Sequence, residues 1–259
     1  PTTNVPATSA CGFEPTLASG SSEHRLTSSA IERRFLTYLP PTADPRTALP
    51  VVFNLHGSGG TPEGQMATSG LAALADRKHF VIVAAASLGA RWNVPPDPNK
   101  PDDVRFIADA LDAVMQMACV DSRRVYSTGF SGGARMSSQL ACDLSERIGA
   151  IAAIGGVRFP GPCARARSMP ILAFHGTGDT VNPYAGGGES YWGTSVESAI
   201  DGWGSHNGCA ARRPTHGRGR YRDAVVGARD RRGSACRATG KRRLAARRNA
   251  AAVRSRHRR

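Results

Sequence analysis

The chain has 259 residues, of which 40% are hydrophobic, 6% aromatic and 21% charged, a composition that fits one large globular domain or two small ones. No run of about 18 apolar residues is present, so a transmembrane helix is excluded. The net charge of +14 suggests a nucleic-acid binder, but its distribution points elsewhere. Residues 211–259 hold 17 Arg and Lys241 against Asp223 and Asp230, whereas residues 1–210 hold 16 Lys and Arg against 18 Asp and Glu.

Residues 1–10 are rich in Pro, Thr and Ser and read as a linker. The body, residues 11–210, carries short apolar runs that end at glycine-rich loops. In chain order these are 33–39, 50–55 (before His56-Gly57), 80–84, 124–128 (before Gly129), 151–154 (before Gly155-Gly156) and 171–174 (before His175-Gly176). Continuous apolar runs suit strands covered on both faces. Helical spacing recurs between them. Val104, Ile107, Ala108, Leu111, Val114 and Met115 form one stripe, with Asp102 or Asp103 available as N-cap. Residues 132–144 and the set Val196, Ala199, Ile200 and Trp203 give two more helices. Alternating strand and helix predict an α/β fold with a mostly parallel sheet flanked by helices. In such sheets the chemistry collects beyond the carboxyl ends of the strands.

The tail, residues 211–259, has few large apolar side chains and 17 Arg to one Lys. Its like charges repel and it lacks the surface to offset ordering entropy, so it reads as disordered or poorly packed. An Arg excess of this kind matches out-of-frame translation of a GC-rich gene, starting near Arg212. Translating the other two frames past that codon tests this. The six cysteines, Cys11, Cys119, Cys142, Cys163, Cys209 and Cys236, include no CxxC pair, so a structural zinc site is not expected. They favour disulfides and an oxidising compartment, with 15 pairings open. No phosphate loop or metal cluster is recognisable, and no cofactor is expected.

Gly129-Phe130-Ser131-Gly132-Gly133 fits the pattern G-x-S-x-G between a predicted strand and a predicted helix. That context makes Ser131 a candidate nucleophile on a tight elbow, with the Gly132 N–H as an oxyanion donor. Leu55-His56-Gly57-Ser58 follows another strand. A His-Gly loop there supplies the second donor, for which the N–H of Ser58 is the candidate. Asp179, in Phe174-His-Gly-Thr-Gly-Asp179, follows Ser131 in the chain order that the triad acid requires. A general base after Asp179 leaves His206, His216 and His257; none follows an apolar strand that would deliver it to the sheet edge, and His216 leads. Trp92 is a candidate for the substrate pocket, with Tyr191 and Trp192 beside it.

These residues resemble the secreted polyhydroxybutyrate depolymerase and feruloyl esterase group of the α/β-hydrolases. The matching features are Leu55-His-Gly57, Val120 to Tyr126, Thr128-Gly-Phe-Ser-Gly-Gly133, Phe174 to Asp179 with Pro183-Tyr184, and Trp203 leading to Asn207-Gly-Cys209. The resemblance implies an α/β-hydrolase fold and an extracellular, disulfide-bonded serine esterase cleaving short polyesters or feruloylated plant polysaccharides. A monomer is expected, with an ester substrate and neither a membrane nor a specific nucleic acid as partner. Members of the group end in one more strand and a Gly-Gly-His-x-Trp-Pro-like turn that carries the catalytic histidine. Nothing after Cys209 matches it, so the last strand and helix are expected to be missing or altered. Two alternatives stand beside the esterase: a hydrolase relic lacking its triad histidine, and a body whose basic tail binds nucleic acid or another anionic surface.

Overall fold

The computed structural model describes residues 11–209 and, for the backbone alone, 221–226. Eight strands form one sheet in the order β1-β2-β4-β3-β5-β6-β7-β8. They are β1 (Gly20–Ser28), β2 (Ile31–Leu39), β3 (Leu49–Leu55), β4 (Val81–Ala85), β5 (Val120–Phe130), β6 (Ala150–Ile154), β7 (Ile171–Gly176) and β8 (Tyr221–Val226). The five central strands are parallel. The fold class expected from the apolar runs is the one observed. All five residues of β4 are buried, as a strand covered on both faces requires.

Among the described residues five α-helices accompany the sheet: α1 (Pro62–Ser69), α2 (Leu71–Lys78), α3 (Asp103–Met117), α4 (Gly132–Asp143) and α5 (Val196–His206). The side chain of Asp102 caps α3 by accepting from the N–H of Arg105 at 2.9 Å. On α3, Phe106, Ile107, Ala110, Leu111 and Val114 bury one stripe, the 3.6-residue period made physical. In α4 every residue from Gly132 to Ala141 is buried, so this helix runs through the interior behind the sheet.

Besides α2, three elements escape the sequence reading. β1 alternates half-buried and exposed residues and has no apolar run. It is held by its antiparallel register with β2, through a turn at Ser29 and Ala30, both at positive φ. α1 has no apolar stripe, yet Thr61 caps it and Pro62 occupies its first turn, a start signal legible in the sequence. The third is β8, which pairs antiparallel with β7, Tyr221 facing Gly176 and Val226 facing Ile171. This strand lies within 211–259, the segment read from sequence as disordered or poorly packed. β7 would otherwise present an open edge of backbone donors and acceptors, and Tyr221, Val225 and Val226 are residue types that favour strands. The strand that ends the sheet is present but runs against its neighbour.

Two disulfides join described residues: Cys11–Cys119 ties the amino-terminal segment to the turn before β5, and Cys142–Cys163 ties the end of α4 to the loop after β6. No described cysteine is free. Among the described residues no helix is long and apolar enough to cross a membrane.

A buried ion pair locks one flank. Arg33 on β2 donates to Asp103 at 2.6 Å, the two side chains being 2% and 4% exposed. The Arg33 guanidinium also lies 3.9 Å over the Phe106 ring. The other oxygen of Asp103 accepts from the backbone N–H of Asn93 at 2.7 Å. One carboxylate thereby fixes β2, the start of α3 and the long loop that carries Trp92.

Candidate active site

The site lies at the carboxyl ends of β3, β5, β6 and β7. Ser131 stands between β5 and α4 with φ 51° and ψ −109°, a conformation that an L-residue holds only under constraint. The constraint is visible. The N–H of Ser131 donates to the carbonyl of Ile154 at 2.8 Å, and its own carbonyl accepts from the N–H groups of Ala134 and Arg135 at 3.1 Å each. Neighbouring backbone comes too close for side chains. A methyl on Gly133 would sit 2.1 Å from the carbonyl oxygen of Leu55, and one on Gly156 would sit 2.3 Å from that of Ser131. The glycines after Ser131 and after β6 are therefore steric requirements. Ser131 is half-buried, on a strained strand-to-helix turn.

The His56-Gly57-Ser58 loop packs against this turn. A Cβ on Gly132 would lie 3.0 Å from the backbone nitrogen of Ser58, so the N–H groups at 58 and 132 share one corner at the start of α4. His56 is a structural member of the loop. Its Nδ1 donates to the Gly57 carbonyl at 2.8 Å, and its Nε2 accepts from the Ser87 N–H at 3.2 Å. Those two bonds select the neutral tautomer, and burial lowers the pKa of the ring below its ordinary value.

Asp179 sits in the loop after β7. Its Oδ1 accepts from the backbone N–H groups of Val181 and Asn182, both at 2.9 Å. Its Oδ2 lies 3.9 Å from where a Cβ on Gly155 would be, and Gly155 follows Ile154, the residue bonded to Ser131. The carboxylate is thus on the same rim as the elbow, with one oxygen committed to its own loop. His175 is buried beneath it. Its Nε2 donates to the carbonyl of Asn182 at 2.8 Å and lies 3.5 Å from Oδ2 of Asp179, while its ring stacks on Trp192.

Of the candidate bases, His216 and His257 lie outside the described residues. His206 is described, on α5. Its Nε2 meets the carbonyl of Arg167 at 3.2 Å and its ring packs against Phe159 and Trp203, an attachment that leaves it a packing residue. Among the described residues no side chain hydrogen-bonds the Ser131 hydroxyl.

A cavity of about 650 Å³ opens beside the elbow, with Ser58, Gly132, Trp92, Arg91, Arg135 and Tyr191 in its wall. Trp92 is only 5% exposed. Its indole donates to the carbonyl of His56 at 2.8 Å and its ring lies against that imidazole, so it buttresses the His-Gly loop as much as it lines the cavity. Two residues were missed by the sequence reading. Asn182 joins three segments: its backbone N–H serves Asp179, its amide donates to the carbonyl of Gly155 at 2.7 Å, and its Oδ1 accepts from Arg135 at 3.2 Å. Its spacing from Asp179, three residues on within a turn, is a local signal that was available. Arg135 is one helical turn after Ser131, a spacing that places both on one face.

No protein-family model matches the chain. In sequence it is similar to feruloyl esterase B of Piromyces equi, 32% identical over 193 residues that cover 68% of this chain and 36% of that protein. It is also similar to feruloyl esterase D of Neurospora crassa, 29% identical over 184 residues, 67% of this chain and 62% of that one. The chain spans about a third to just under two thirds of the length of these relatives. In structure it is similar to a thermostable esterase, with a TM-score of 0.57 at 17% identity over 71% of this chain and 52% of that one. Sheet order, elbow and structural likeness define an α/β-hydrolase fold. Within that class the chain is similar in sequence to feruloyl esterases.

Proposed function

We propose that the protein is an extracellular serine esterase hydrolysing carboxylic esters of plant polysaccharides, feruloyl or acetyl, through an acyl-enzyme on Ser131. The observation that carries this reading is the strained elbow at Ser131, with the backbone of Ser58 packed against Gly132. The Ser131 oxygen attacks the ester carbonyl, its proton passes to an imidazole, and the two N–H groups hold the developing oxyanion. The alcohol leaves with that proton and water then releases the acid. Asp179 orients the imidazole through its less committed oxygen Oδ2. The base comes from the region after Cys209, with His216 the leading residue. Trp92 forms part of the substrate wall. The disulfides support secretion. The similarity to fungal feruloyl esterases supports the feruloyl substrate over polyester.

The test is hydrolysis of 4-nitrophenyl acetate and methyl ferulate, with fluorophosphonate labelling read by peptide mass spectrometry. Label at Ser131 and turnover that falls by about 10⁴-fold or more in Ser131→Ala are expected. Turnover that survives in Ser131→Ala, or label at another residue, overturns the reading. His216→Ala, expected to lose turnover while keeping its fold by circular dichroism, assigns the base.

A further inference from the structure

The cavity beside Ser131 has an uneven charge. Arg91, Lys100 and Arg135 line it together with one carboxylate, Asp97. That carboxylate is already taken: it pairs with Lys100 at 3.4 Å and accepts the backbone N–H of Asn99. Arg135 is different in kind from the two exposed cations. It is 6% exposed, and no carboxylate among the described residues comes within ion-pair distance. Its guanidinium donates to two neutral oxygens, Oδ1 of Asn182 at 3.2 Å and Oγ of Ser58 at 3.3 Å, and lies 4.4 Å from the centre of the Tyr191 ring. Arg91 approaches the same ring at 5.7 Å. Arg158 adds to the imbalance from behind, its Nη1 buried without a partner among the described residues. Burial, together with Arg158 and Arg91, pushes the guanidinium of Arg135 below its ordinary pKa, yet an arginine remains charged. A buried cation without a counter-ion is expensive unless something else supplies the charge.

We infer that Arg135 is an anion subsite, and that the ester this enzyme takes carries a free carboxylate close to the scissile bond, on a uronic acid or a dicarboxylic half-ester. This rests on the esterase reading above and narrows it. The guanidinium is fixed on both sides, by Asn182 and by Tyr191, so its remaining donors are pre-organised in the cavity wall. Ser58, which Arg135 touches, is also the candidate second oxyanion donor, its backbone nitrogen lying against Gly132. The carboxylate would therefore bind within one side chain of the reacting carbonyl. A planar fork suits a carboxylate in two-point contact.

Two matched pairs of substrates test it: the 4-nitrophenyl half-ester of glutarate against 4-nitrophenyl valerate for an acid on the acyl side, and 4-acetoxybenzoate against 4-acetoxybenzamide for an acid on the alcohol side. The readout is the ratio of kcat/KM, charged over neutral, in wild type divided by the same ratio in Arg135→Leu, which cancels intrinsic reactivity. A drop of about 10- to 100-fold in one pair is expected, the factor that a charge-assisted hydrogen bond supplies. Arg135→Lys, which keeps the charge and loses the fork, should fall between, and it carries the test if Arg135→Leu does not fold. Equal losses on charged and neutral esters make Arg135 a positioning residue for Ser58 and overturn the inference, with the esterase reading intact. Absence of hydrolysis on every ester defeats the esterase reading instead. Calorimetric titration with glutarate and 4-hydroxybenzoate then decides: binding lost in Arg135→Leu or weakened in Arg135→Lys supports the subsite, and no binding by wild type removes it.

Discussion

Two buried arginines face opposite situations. Arg33, between β2 and α3, is paired with Asp103 and roofed by Phe106. Arg135, on the cavity side of α4, is buried nearly as deeply, stacks on Tyr191, and among the described residues has only neutral oxygens as hydrogen-bond partners. Both guanidiniums have lost water; one has its charge returned by the protein. The contrast separates a cation that organises the fold from one that waits for a ligand, because desolvation of an ion is tolerated only where opposite charge is supplied.

The comparison breaks most visibly on the paired side. Asp103→Asn keeps the shape and strands the Arg33 charge. Urea denaturation should show a loss of about 3–5 kcal/mol, and a loss below about 1 kcal/mol would mean that Arg33 is not dependent on its partner. On the other side, Arg135→Leu removes a charge that the fold does not neutralise. Its stability should change by no more than about 1 kcal/mol in either direction, so its effect appears in substrate choice and not in unfolding. A large loss there would make Arg135 a second structural cation.

The smallest effect belongs to a third arginine, half-buried and paired with an exposed acid. Arg34 meets Glu63 with one contact at 2.6 Å, and holds the Glu63 carboxyl down to about 2 from 4.5. Because the folded value is depressed, the pair stabilises above pH 4.5 and that contribution is lost as the pH falls from 4.5 toward 2. Glu63 is half exposed, so water screens the pair to about 0.5 kcal/mol or less. Glu63→Gln should lower stability by that amount at neutral pH and flatten the acid limb of a pH-stability curve. A loss like that of Asp103→Asn would show that exposure does not weaken these pairs as argued.

Legibility followed the source of each signal. Runs 50–55, 80–84 and 171–174 lie within a residue or two of β3, β4 and β7, and the Val104 stripe became α3, since burial on two faces or one stripe leaves a periodic trace. β1 left none, because its order comes from pairing with β2. Ser131, Gly132, Ser58 and Asp179 were readable from loops whose residue types are dictated by backbone geometry. Arg135 was not, as its neighbours come from segments far apart in the chain, and Asn182 left only its spacing from Asp179, its bonds to Gly155 and Arg135 being long-range.

The sequence by itself determined the alternation of strand and helix, the glycine-bracketed serine and the loop that carries Asp179, because burial, tight turns and forbidden Cβ positions act over a few residues. Only the tertiary structure decided that β8 runs antiparallel to β7, that Arg33 meets Asp103 while Arg135 meets no acid among the described residues, and that this second cation borders the cavity beside Ser131. Charge neutralisation and desolvation depend on which groups meet across the fold, and distance along the chain does not record that.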